Sequence, residues 1–95
     1  MAYAVVAHYR CAPADGDAVR AALLKAREAT RAEPANQQYE VHTVTGEPGG
    51  FLLYERYDDA AGFEAHKAAP HFEEQIVETV WPLLTERSVT FAEVL

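Results

Sequence analysis

The stretch from Phe51 to Phe72, FLLYERYDDAAGFEAHKAAPHF, carries most of the side chains in this chain that are able to do chemistry. An apolar strand runs into an acidic turn, then a helix bearing His66, then a second helical start at His71. That order sets an imidazole and several aromatic rings beside one hydrophobic sheet, with few other reactive groups. Imidazole exchanges protons near neutral pH, so the chemistry on offer is proton transfer in an apolar setting. A metal fits the pattern less well. His66 and His71 are separated by Pro70, so a single helix face does not present both, and the four histidines form no closely spaced ligand set. The lone cysteine, Cys11, excludes a disulfide framework and a cysteine-based zinc site, and it has no catalytic partner nearby in sequence.

The elements that must position these groups are legible from patterning. Tyr3 to Cys11 is a strand with Tyr3, Val5, Ala7, Tyr9 and Cys11 on one side and Ala4, Val6, His8 and Arg10 on the other. Both sides are largely apolar, which predicts a strand covered on both faces, with His8 toward the helices. Pro13 stops it. Asp15 or Asp17 caps a helix from about Gly16 to Ala32, where Val19, Leu23 and Ala26 recur at helical spacing. Glu33 and Pro34 end that helix. Two strands follow, Gln37 to Thr45 and Phe51 to Tyr57, joined as a hairpin through the GEPGG linker. Asp58 or Asp59 caps the helix carrying Phe63 and His66, and Pro70 breaks it. A further helical piece starts near His71, with Phe72, Ile76 and Val80 on one stripe and Pro82 loosening its end. Ser88 to Leu95 alternates as the last strand. The order β-α-β-β-α-β is the ferredoxin-like α+β pattern, an antiparallel sheet with both helical segments on one face.

The chain has 95 residues, enough for one domain, 1–95, and one core. Its net charge of −7 argues against nucleic acid or an anionic membrane surface as partner, because phosphate binding needs clustered Lys and Arg. No signal peptide pattern or apolar run approaching ~18 residues is present, so a cytoplasmic location is expected. Apolar residues on both sides of the sheet would leave a bare patch beyond ~600 Å². A second copy of the chain is the simplest cover, which predicts a homodimer with sheets packed face to face.

The run YERYDDAAGFEAHKAAPHF, preceded by EPANQQYEVH at Glu33 to His42, resembles the antibiotic biosynthesis monooxygenase family, and within it the quinol monooxygenase branch. Tyr54, Glu55, Tyr57, Phe63, His66 and His71 match that pattern, as does the element Asn36-x-x-Tyr39. The resemblance implies a dimeric α+β barrel and an enzyme that oxidises a quinol or polycyclic phenol with O2, needing no metal, haem or flavin as cofactor. On that reading His66 takes or shares the phenolic proton, and Asn36 and Tyr54 donate hydrogen bonds to a quinone oxygen. Phe63, Phe72 and Trp81 wall the ring, with His8 as a second pocket histidine. Haem-degrading relatives share the fold, but Ile76 stands roughly where they carry an axial histidine.

Each of these residues also has a structural role open to it. His66 can serve helix–sheet packing, Asn36 a turn, Tyr54 a barrel rim and Trp81 core filling. Glu55 has two readings, a buried acid with a shifted pKa or a partner of Arg56 or Arg10 at the dimer seam, and the pairing is the one expected. An isomerase or other proton-transfer enzyme acting on a small oxygenated metabolite, and a non-catalytic small-molecule binding module, stand beside the oxygenase reading.

Overall fold

Burial alternates along the first strand, β1 (Tyr3–Cys11), and this alternation fixes which side of the sheet is which. In the computed structural model, which describes Met1 to Leu95, Val5, Ala7, Tyr9 and Cys11 are buried while Val6, His8 and Arg10 are only half-buried. The odd-numbered side faces the helices. His8 therefore lies on the opposite side from the one its apolar neighbours suggested. Arg10, two residues on, lies there too, and both bind the Glu47 carboxylate, at 3.1 Å and 2.8 Å.

A short 3-10 turn (Pro13–Asp15) leads into α1 (Gly16–Arg31), which buries Val19, Ala22, Leu23, Ala26 and Thr30 along one stripe. Leu23 is fully buried, worth about 1.5–3 kcal/mol relative to exposure. Arg31, in the last turn, donates from both Nε and Nη2 to the Tyr39 carbonyl, which ties the helix end to β2 (Asn36–Thr43). Between them a turn holds Glu33, and this turn proves central to the site. β3 (Gly50–Tyr57) returns antiparallel through the expected hairpin. Gly49 in that hairpin has φ +79°, and a Cβ there would stand 2.2 Å from the Cys11 carbonyl oxygen, so only glycine fits.

α2 (Ala60–Ala68) is capped by Asp59, whose carboxylate accepts from the Gly62 amide at 2.9 Å. Gly62 also lets this helix pack closely on the turn before β2 and on β3, since a Cβ would meet the Ala35 Cβ at 2.8 Å and the Tyr57 Cβ at 3.4 Å. After the break at Pro70 comes a π-helix (Phe72–Val80) rather than an α-helix, then a 3-10 turn (Trp81–Leu83) containing Pro82. Ile76 and Val80 of the expected stripe are buried; Phe72 is half-buried against them. β4 (Leu84–Glu93) starts four residues earlier than alternation indicated. The four-stranded antiparallel sheet has the order β2-β3-β1-β4, with the helical segments on one side: the ferredoxin-like α+β fold.

Two features matter for function. The helical layer does not cover β4, so Val89 and Phe91 remain 48% and 49% exposed although they point to the helical side opposite Ala7 and Val5. The other side of the sheet is more mixed than the sequence suggested. Val6, Leu52 and Tyr54 interleave there with His8, Arg10, Arg56, Glu40 and His42.

Candidate active site

Helical spacing places Gly62, Phe63 and His66 on the buried face of α2, and the close approach allowed by Gly62 drives the imidazole onto the sheet. His66 is 1% exposed and lies among Tyr57, Phe72, Phe63 and Tyr39, at ring-centroid distances of 5.4, 5.2, 6.0 and 6.0 Å. A buried ring with two polar nitrogens needs partners, since an unpaired buried donor costs ~1–3 kcal/mol. Nδ1 donates to Glu33 Oε2 at 2.9 Å. Nε2 points instead toward Glu55, with 3.7 Å to Oε1, too long for a hydrogen bond.

Glu33 holds a second imidazole as well. His71 Nε2 donates to the same Oε2 at 2.5 Å. Glu55, 5% exposed, accepts from the Tyr57 hydroxyl at 2.7 Å. The result is a linear series, His71–Glu33–His66–Glu55–Tyr57, running from a partly exposed imidazole into the core. Glu55 has no arginine partner: Arg56 points to the other side of the sheet and donates to Gln37, and Arg10 binds Glu47. The seam pairing expected from sequence is thus replaced by a buried acid beside an imidazole.

Burial tunes these groups toward each other. It raises the Glu55 carboxyl to about 7, with the Tyr57 hydrogen bond opposing the rise and the Glu33 charge adding to it. It lowers His66, against the opposing pull of its bond to Glu33 and of the Glu33 charge. Tyr57 and Tyr39 are pushed upward, first by burial and then by the neighbouring Glu55 charge, so both hydroxyls keep their protons.

Beside the Glu55–His66 pair lies a cavity of about 380 Å³. Its walls are apolar: Val5 and Ala7 of β1, Phe63 of α2, Phe72 and Ile76 of the π-helix, and Val89 and Phe91 of β4. Trp81 closes one end, where its Nε1 approaches the Tyr9 hydroxyl at 3.5 Å and its indole meets Phe72 edge-on. Four of the residues singled out from sequence, His66, Phe63, Phe72 and Trp81, line this cavity together. Asn36, Tyr54 and His8 do not. Asn36 Nδ2 donates to the carbonyls of Gln38 (3.0 Å) and Arg56 (3.4 Å), clamping the irregular register where β2 begins. Tyr54 belongs to the uncovered side of the sheet, as does His8.

Glu33, Glu55, Tyr39, Tyr9 and Arg87 are functional candidates that sequence reasoning did not select. Glu55 had a local signal, since period-two alternation puts it on the same side as Leu53 and Tyr57. Glu33 and His71 had none: they meet across 38 residues.

His66 and His71 do come together after all, presented by two elements rather than one helix face. The ligand atoms of Glu33, His66 and His71 lie within 4.8 Å of one another, a two-histidine, one-carboxylate set. Their spacing nonetheless fits shared protons better than a metal. Around an ion with bonds of ~2.0–2.1 Å in tetrahedral geometry, ligand atoms stand ~3.3 Å apart. Here both nitrogens sit at 2.5 and 2.9 Å from a single oxygen. Ile76 lines the cavity with hydrocarbon and offers no ligand atom there.

Fold and site together define a ferredoxin-like α+β domain with a buried acid–imidazole cluster opening on an apolar cavity. The model of the antibiotic biosynthesis monooxygenase family matches residues 2–76, and the chain belongs to that family. Membership supports a general monooxygenase-like role. Among solved structures the chain is similar to Rv0793 of Mycobacterium tuberculosis, with 28% identity over 100% of this chain and 96% of that one and a TM-score of 0.91. It is similar in fold to PA3566 of Pseudomonas aeruginosa (23% identity, 99% and 94% covered, TM-score 0.90). The fold is shared too by a protein named antibiotic biosynthesis monooxygenase (24% identity, 98% of each chain, TM-score 0.90). Among curated proteins none matches the chain. No helix is long and apolar enough to cross a membrane.

Proposed function

We propose that this protein is a cofactor-independent monooxygenase that oxidises a quinol or polycyclic phenol with O2. The observation that carries this reading is the bond from His66 Nδ1 to Glu33, which leaves Nε2 free to accept a proton beside Glu55 at the edge of an apolar cavity. A group that exchanges protons near the working pH is the most effective general base, and the Glu55 carboxyl, at about 7, meets that condition.

The electron balance closes without an external reductant. A phenol and O2 give a quinone and water: one oxygen atom enters the ring, the other leaves in water, and all four electrons come from the substrate. The His66–Glu55 pair takes the phenolic proton, and the resulting phenolate passes an electron to O2. Recombination at ring carbon gives a peroxide anion, which the same pair protonates. Loss of the ring proton and departure of water then complete the quinone. Apolar side chains around the radical pair strengthen each electrostatic contact beside it. Phe63, Phe72 and Trp81 flank a planar ring, and Glu33 is a positioning residue that fixes the His66 tautomer.

Oxygen uptake by purified protein in chelator and without flavin, offered 1-naphthol and related polycyclic phenols, tests the reading. Uptake well above autoxidation, with quinone as product, is expected; a panel with none above autoxidation would count against it. The same adjacent acid and imidazole would also serve a proton-transfer enzyme such as an isomerase. Turnover under strict anaerobiosis favours that second reading.

A second copy of the chain on the mixed side of the sheet belongs to this proposal. Val6, Leu52 and Tyr54 supply its apolar contact. Sedimentation at micromolar concentration should give twice the 10.5 kDa protomer mass; a lone protomer would remove the dimer from the proposal.

A further inference from the structure

The cavity is chemically lopsided along its length. Glu55 sits beside Val5 of β1 with His66 next to it, whereas Arg87 sits beside Tyr9, four residues further along that strand, with Trp81 against both. The Arg87 guanidinium lies over the indole of Trp81, with its carbon 3.6 Å from the ring centroid. Stacking of this kind fixes the plane of the guanidinium while leaving its in-plane N–H donors free at the edge. Those donors have no partner: the Arg87 side chain takes part in no ion pair and no hydrogen bond, in a chain with 15 acidic residues and 8 basic ones. Lys67, the other cation lining the cavity, is different, because its ammonium binds Glu64 at 3.0 Å. A cation held flat against the cavity wall, with its hydrogen-bonding fork empty, is suited to a planar anion such as a carboxylate.

The register gives the separation. Arg87 pairs with Tyr9 across β1 and Glu55 pairs with Val5, four residues apart along the same strand. Their own strands, β4 and β3, flank β1 on opposite sides. At ~3.4 Å per residue along the strand and ~4.8 Å between neighbouring strands, the backbone positions are about 17 Å apart, and both side chains reach inward to shorten the gap. Fused aromatic rings with a substituent at each end match such a span.

We infer that the substrate is a fused-ring phenol bearing a carboxylate at the far end from its hydroxyl, with Arg87 gripping the carboxylate while the hydroxyl meets His66 and Glu55. This rests on the proposed phenol oxidation for the hydroxyl end only; the carboxylate end stands on the geometry of Arg87 and Trp81. Arg87 would then set specificity and polarity of binding, since a ligand entering the other way round would place its anion beside a buried carboxyl.

Isothermal titration with 6-hydroxy-2-naphthoate and with 2-naphthol tests the inference by binding alone. The naphthoate should bind about tenfold or more tightly than 2-naphthol, as expected for a charge-assisted bidentate contact. Arg87→Gln should bring its affinity down to that of 2-naphthol, and Arg87→Lys, which keeps the charge without the fork, should leave an intermediate advantage. Lys67→Gln should keep the full advantage. Equal binding of the two ligands, binding of neither, an advantage that survives Arg87→Gln, or one abolished by Lys67→Gln would each overturn it. An Arg87-dependent advantage without oxygen uptake on any phenol would refute the oxidation and leave this inference standing.

Discussion

The two sides of this sheet are built from the same strands, yet they treat polar groups in opposite ways. On the side away from the helices, histidines and charged residues are many and half-exposed: His8 and Arg10 share Glu47, Arg56 bonds Gln37, and His42 approaches Glu40 at 3.8 Å. On the helical side they are few, and those buried bond chiefly to one another: His66 to Glu33, and Glu55 to Tyr57. Exposed pairs are worth about 0–1 kcal/mol. Burial raises the Glu55 carboxyl to about 7 and lowers His66, which brings both into the range that acid–base chemistry at neutral pH requires. Burial, rather than residue type, separates the histidine that can do chemistry from the one that decorates a surface.

The largest expected effect breaks this contrast at its centre. Replacing His66 with alanine should lower oxygen uptake by roughly 10²–10⁴-fold, the usual contribution of a positioned acid–base group, while His8→Ala stays within about twofold of wild type. Comparable losses from both variants would erase the distinction between the two sides.

A smaller effect concerns stability. The Glu55 carboxyl binds its proton more tightly folded than unfolded, so its contribution to stability is greatest at low pH and declines as pH rises from about 4.5 to about 7. At ~1.4 kcal/mol per pH unit, the decline is about 3 kcal/mol. His66 contributes with the opposite sign, because its folded affinity for protons is reduced. Comparison with Glu55→Gln isolates the first effect. The stability of wild type relative to this variant should fall by about 3 kcal/mol across that interval in urea titrations. A pH-independent difference would mean that Glu55 titrates normally.

The smallest effect lies on the other side. His8→Ala should change stability by no more than about 0.5 kcal/mol, as for an ordinary half-exposed ion pair.

Much of the fold was readable in the sequence because local signals agreed. Pro13, Pro70 and the GEPGG linker mark boundaries that the structure respects, and Asp59 caps the helix bearing His66 as its position indicated. Burial on α1 follows its helical stripe. The sides of β1 were not readable, because alanine and valine occupy both and hide the alternation; Arg10 beside His8 was the better clue. For the site, His66, Phe63, Phe72 and Trp81 could be gathered from one C-terminal half of the chain. The partners that tune His66 could not. Glu33 lies at a helix end where Glu-Pro reads as punctuation, and only the packed fold carries it to two imidazoles 33 and 38 residues away. The π-helix likewise had no signal distinguishable from an α-helix.

The claim underlying all of this is that burial keeps His66 neutral while its bond to Glu33 fixes the tautomer, leaving the open nitrogen toward the cavity. Nitrogen-15 NMR of the histidine rings reads that state directly. At pH 7 in wild type, His66 should show a protonated Nδ1 and an unprotonated, pyridine-type Nε2, with Glu33→Gln disturbing that preference. A proton on Nε2, or a fully charged imidazolium at that pH, would contradict it.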